Sequence, residues 1–129
     1  MLTTQDLKSG CNQYYGTEKY WYHPLNKNIK YTDGAQYFFE NAECYWLLDI
    51  ILTEIVVAAK KWTKEEGDDF FLIKLTVSDK NTAVLSVNSN NHKGKDTVIW
   101  TRTIEFTDAP KGEWKLYFAN DVILLPTEY

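Results

Sequence analysis

The side chains with chemistry to offer in this 129-residue sequence are two histidines, two cysteines and two pairs of adjacent acids. His23 stands directly before Pro24, and its candidate carboxylate partners are Glu18, Asp33 and Asp49. A carboxylate that orients the imidazole would make it a general base. The plainer reading is a loop histidine hydrogen-bonded beside its proline. Cys11 and Cys44 would serve as nucleophiles only as activated thiolates. Both fall on faces of expected helices where a thiol stays protonated and buried, so two free, inert thiols are expected rather than a disulfide. Glu65-Glu66 and Asp68-Asp69 flank Gly67 in a polar connection, a setting that suits a solvated charge run. His92 lies in the polar stretch 90–95 with two lysines, a weak phosphate-binding signal. No Gly-x-Ser-x-Gly, Gly-rich phosphate loop, His-Glu-x-x-His or Cys-x-x-Cys occurs. No catalytic constellation, metal site or cofactor is therefore expected.

A denser signal is aromatic. Tyr14, Tyr15, Tyr20, Trp21, Tyr22, Tyr31, Tyr37, Phe38 and Phe39 place nine rings in 26 positions. Tyrosine and tryptophan combine large contact area with a polar tip, the composition of recognition surfaces and also of lids over small cores. In extended backbone Tyr20 and Tyr22 point one way while Trp21 and His23 point the other, so one pair is core and the other surface.

Charge narrows the partners. The formal net charge is −4, and all of it falls on residues 41–69, which hold seven acids against three lysines. One arginine, Arg102, accompanies thirteen lysines. Proteins that clamp phosphates or read base edges favour the guanidinium fork, so direct nucleic-acid binding is not expected. No apolar run reaches the ~18 residues of a membrane span, and the first residues lack a signal peptide's positive flank and apolar core. The chain therefore reads as cytoplasmic.

These residues must be positioned by elements whose period changes along the chain. Thr3 or Thr4 caps a first helix to about Gln13, with Gly16 as its stop. Ile29-Lys30-Tyr31 suits a short edge strand, and Thr32-Asp33-Gly34 starts a helix that ends near Asn41. A longer helix runs from about Glu43 to Lys61. Its core face is Cys44, Leu47, Leu48, Ile51, Ile55, Ala58, Ala59 and Trp62. Tyr45, Trp46, Ile50, Leu52, Val56 and Val57 fall outside that face, so the helix is apolar nearly all round; either the N-terminal helices or another chain must cover the excess, and a homodimer is the expected cover. After residue 69 the period becomes two. Strands are expected near 70–78, 82–88, 97–107 and 113–118, with a short fifth element at 122–125. Val98, Trp100, Ile104 and Phe106 should share one face of the third, with Arg102 intruding. The expected fold is a single α+β domain over 1–129, mainly helical in 1–62 and sheet in 70–125. Its N-terminal helices pack on one face of a four- to five-stranded antiparallel meander.

Gly16-Thr17-Glu18, His23-Pro24-Leu25, Tyr31-Thr32-Asp33-Gly34, Tyr45-Trp46-Leu47-Leu48-Asp49, Ile104-Glu105-Phe106-Thr107-Asp108 and the ending Val122 to Tyr129 carry a resemblance over nearly the whole chain. In these motifs the chain resembles a family of small bacterial, plasmid and phage proteins known only as a domain of unknown function. The resemblance implies a phage or mobile-element context and brings no activity or catalytic residues. Small acidic proteins of that context include inhibitors of host defence systems, such as anti-CRISPR proteins. Two functions are therefore expected in competition. One is non-catalytic binding of a protein partner, with inhibition of a bacterial defence complex as its specific form. The other is binding or cleavage of a small molecule or nucleotide. The candidate binding residues are Tyr20, Trp21, Tyr22 and His23 with Glu65, Glu66, Asp68 and Asp69, local features that fold rules do not demand.

Overall fold

Thr3 opens the first helix by accepting the Asp6 N–H on its hydroxyl at 3.1 Å. In the computed structural model, which describes residues 3–15, 19–90 and 96–129, this helix is α1 (Thr4–Cys11). The expected stop at Gly16, the candidate partner Glu18 and the loop residues 91–95 with His92 lie outside the described residues. A hairpin follows, β1 (Tyr20–His23) and β2 (Asn26–Thr32). Thr32 then caps α2 (Asp33–Asn41) through the Ala35 N–H at 3.1 Å. The long helix comes in three parts: α3 (Tyr45–Ile50), a π-helical turn (Ile51–Ile55) and α4 (Val56–Glu66). It ends at Gly67, whose φ of 83° is the left-handed cap that favours glycine. Strands β3 (Phe70–Val77), β4 (Ala83–Asn90), β5 (Asp96–Ile104), β6 (Gly112–Ala119) and β7 (Val122–Leu124) complete the sheet. A 3₁₀ turn (Pro126–Glu128) follows.

The class is α+β, but the sheet corrects the expected count and order. It has seven strands in the order β1-β2-β7-β6-β3-β4-β5, and it is mixed rather than antiparallel, because β2 pairs with β7 in parallel. The N-terminal half is not only helical: its hairpin extends the sheet from the edge. Joining the first strands to the last needs a non-local, parallel pairing that no local period announces.

The core forms between the helices and one face of the sheet. Phe71, Ile73, Leu75 and Val77 alternate inward on β3, and Leu85, Val87, Trp114, Leu116, Phe118 and Ile123 continue that face. Against it pack Leu7, Phe38, Phe39, Leu47, Leu48, Ile51 and Ile55. The π turn adds a residue to one helical turn and so rotates the buried stripe. Leu52 and Val56, which a uniform 3.6 period leaves outside the core face, are buried. Trp46 and Ile50 pack partly buried against the core, and Val57 remains 65% exposed. A register shift beside Val87/Asn88 turns Val98 onto the opposite face from Trp100, Arg102 and Ile104, correcting the shared face expected for this strand. Phe106 lies beyond β5 and is exposed. Arg102 faces the helices, where its Nη1 donates to Glu54 Oε2 at 2.8 Å.

Candidate functional site

In β3 to β7 no described side chain of the other face is buried. The register builds that surface row by row. Tyr22 pairs with Lys30, Lys30 with Val122, Val122 with Ala119 and Ala119 with Phe70. The next row runs from Leu124 to Tyr117, Leu72, Asn88 and Val98. The C-terminal Tyr129 folds back over the centre. The Phe70 and Tyr117 ring centroids lie 4.8 Å apart, with Tyr129 at 5.1 and 5.6 Å from them. At the hairpin edge the Lys30 ammonium sits 4.8 Å over the Tyr20 ring. One row further on, β3 and β6 set Lys74 directly opposite Lys115. Like charges in that position cost stability unless something else requires them. Glu113 lies 3.4 Å from Lys115. Among the described side chains the face therefore joins apolar and aromatic groups to three lysines and one glutamate, on a protein whose net charge is −4.

The hairpin residues divide as extended backbone requires. Tyr20 and Tyr22 are exposed on the helix-free face. Trp21 turns to the helix side and donates from Nε1 to Asp33 Oδ1 at 3.0 Å. His23 Nδ1 accepts the Leu25 N–H at 3.1 Å, and its Nε2 lies 3.6 Å from Asp49 Oδ1. The backbone bond occupies the lone pair a general base would use, so this pair orients the ring and closes the hairpin against the helix.

The acidic run is not one solvated unit. Glu65, Glu66 and Asp69 are exposed at the end of α4 and the approach to β3. Asp68 is 8% exposed and accepts from Trp62 Nε1 at 3.1 Å and Ser89 Oγ at 2.9 Å. Its carboxylate joins the helix end to β4 and is taken up by that structural role. Both thiols are free. Burial, then the Glu128 carboxylate, pushes Cys11 up to about 11, and burial raises the fully enclosed Cys44 further. Among the described residues no group of three His, Cys, Asp or Glu side chains is placed to hold a metal ion.

A cleft lies where the sheet splits. β7 stops at Leu124, so β6 has no strand beside it on that side before Tyr117. A cavity of about 400 Å³ fills the gap, walled by Phe38, Trp114, Leu125 and Pro126, with Lys8 and Cys11 on the α1 side. The Lys8 ammonium stands 5.7 Å from the Trp114 ring centroid.

Phe70, Tyr117, Tyr129, Lys74 and Lys115 were not among the candidates singled out by sequence. Their signal is faint but present: Phe70 and Leu72 are apolar in the outward phase of a strand whose inward phase already supplies the core. Fold and surface define a small α+β domain with one helix-covered and one open sheet face. The chain belongs to DUF6876, a family of unknown function, whose model matches residues 5–129. No curated protein and no solved structure matches it. Among the described residues no helix is long and apolar enough to cross a membrane.

Proposed function

We propose that the protein works by binding a protein partner without catalysis, through the open sheet face that runs from Tyr20 and Tyr22 to Phe70, Tyr117 and Tyr129. The observation that carries this reading is the aromatic surface with Lys30, Lys74 and Lys115 set into it. Aromatic anchors supply contact area at low entropic cost, and three lysines select a partner surface that is acidic and apolar. The negative charge on the other side supports inhibition of a bacterial defence complex as the specific form. There Asp49, Glu54, Glu65, Glu66 and Asp69 are exposed, acids suited to a basic nucleic-acid groove. The test is capture from a bacterial lysate by wild-type protein and by Tyr22→Ala, Tyr117→Ala and Lys74→Glu variants of unchanged melting temperature. A partner retained by the wild type and lost by the variants supports the reading. No partner at any salt, or a single-stranded oligonucleotide bound on this face instead, overturns it.

The cleft beside β6 favours a second reading, a small-molecule binder. Its volume lies within the range of ligand pockets, and an indole wall with a lysine beside it suits a flat anion such as a nucleotide. A nucleotide panel read by thermal shift tests it, and no shift with any nucleotide removes it.

A further inference from the structure

On the helix side of the sheet, Tyr14, Trp21, Asp33, Gln36, Tyr37 and Glu40 line a separate cavity of about 280 Å³. Three of its walls are aromatic and two are carboxylates. The Tyr14 and Tyr37 rings meet with centroids 5.3 Å apart. Tyr37 reaches this position across Gly10, where a Cβ would run into the phenol. Trp21 is held by its bond to Asp33. The face of that indole already attracts a cation, because the Lys19 ammonium lies 4.3 Å from the ring centroid. Glu40 makes no side-chain hydrogen bond or ion pair with another described residue. Gln36 turns Nε2 to the Tyr45 hydroxyl at 2.6 Å, which leaves its buried Oε1 without a partner among the described residues. Burial first, then the Tyr37 hydroxyl and the Asp33 carboxylate, raises the Tyr14 phenol.

Electron-rich ring faces and nearby carboxylates attract positive charge. Half of the lining residues present ring faces, Asp33 already accepts the Trp21 N–H, and among the described residues no three His, Cys, Asp or Glu side chains converge to hold a metal ion, so the walls suit a weakly hydrated organic cation. We propose that this pocket binds an alkylated ammonium group, and that Lys19 competes with the ligand for the Trp21 face. The group is shared by a small free ligand of the choline type and by a methylated lysine side chain on a peptide. The pocket is independent of the partner-binding face, so either assignment can fail without the other.

The test follows the Trp21 indole N–H by ¹⁵N NMR during titration with choline, with N-acetyl-trimethyllysine amide and with 3,3-dimethylbutan-1-ol, the uncharged shape analogue of choline. Both cations should shift the Trp21 signal saturably, and the alcohol should bind at least about tenfold more weakly. The tighter of the two cations identifies the source. Glu40→Gln should weaken choline binding about threefold by removing an exposed carboxylate. Lys19→Ala should tighten it by about the same factor by freeing the ring face. The proposal is overturned if the alcohol binds as well as choline, if neither cation shifts Trp21, or if Lys19→Ala leaves choline binding no tighter.

Discussion

At the residue scale, Asp68 separates structure from surface within four acids. Its carboxylate accepts from a part-buried indole N–H and from a buried hydroxyl. Asp68→Ala leaves both donors unpaired and should cost about 2–4 kcal/mol, read as a lower urea midpoint at constant slope. Asp69→Ala, exposed one residue later, should stay within about 0.5 kcal/mol. Two pairs of acids around one glycine give no local sign of this difference, because the partners Trp62 and Ser89 come from a helix and a strand. The thiols carry a second expectation. The folded state holds the Cys11 proton more tightly than the unfolded chain, raising its pKa from 9.0 to about 11. Its contribution to stability is full below pH 9 and is lost as pH rises through 11. Denaturation midpoints should fall over that window in the wild type and fall less in Cys11→Ser. The expectation of inert thiols was legible from their apolar helical positions, since burial is what disfavours the thiolate.

At the element scale, the turn between β6 and β7 decides whether the open face exists. Asn120 and Asp121 both have positive φ, 52° and 62°, as a two-residue turn matched to the strand twist requires. The Asp121 carbonyl also accepts the Lys30 N–H at 3.0 Å, so the turn is where the N-terminal hairpin joins the rest of the sheet. Asn120→Gly should leave stability nearly unchanged. Asn120→Val, with a β-branched side chain forced into that region, should cost about 1–2 kcal/mol. Hydrogen exchange should show the loss first at the β7 and β2 amides. This turn was readable in the sequence, as were β3, β4 and β6, because a period of two with polar turns is a local pattern. Of the β1–β2 hairpin the sequence shows only extended backbone at Tyr20 to His23 and a short strand at 29–31. Its place in the sheet depends on Val122 and Ile123, some ninety residues away, and such pairing leaves no trace in local periodicity. The π turn was hidden for a related reason: a helical stripe assumes a constant period, and Leu52 and Val56 obey a shifted one.

At the scale of the whole molecule, charge and shape divide along the sheet. Helices and most exposed acids occupy one side, while the other presents tyrosines, Phe70 and three lysines on an open sheet. The apolar excess of the long helix, which suggested a second copy as its cover, is largely taken up within the chain, since Trp46 and Ile50 pack on the core. A homodimer would then draw on the open face, and there its own charges oppose it. Two copies meeting face to face bring Lys74 and Lys115 of each against like charges, a repulsion that salt relieves. An acidic partner on the same face gives the opposite sign, because salt screens the attraction that guides it. The salt dependence of association therefore identifies the occupant. If the partner is acidic, its affinity should fall several-fold between about 0.05 and 0.5 M salt. Lys74→Glu should reduce both the affinity and its salt dependence. If the face closes on a second copy, light scattering should show a dimer that strengthens over the same range, and Lys74→Glu, placed opposite the partner's lysines, should strengthen it at low salt.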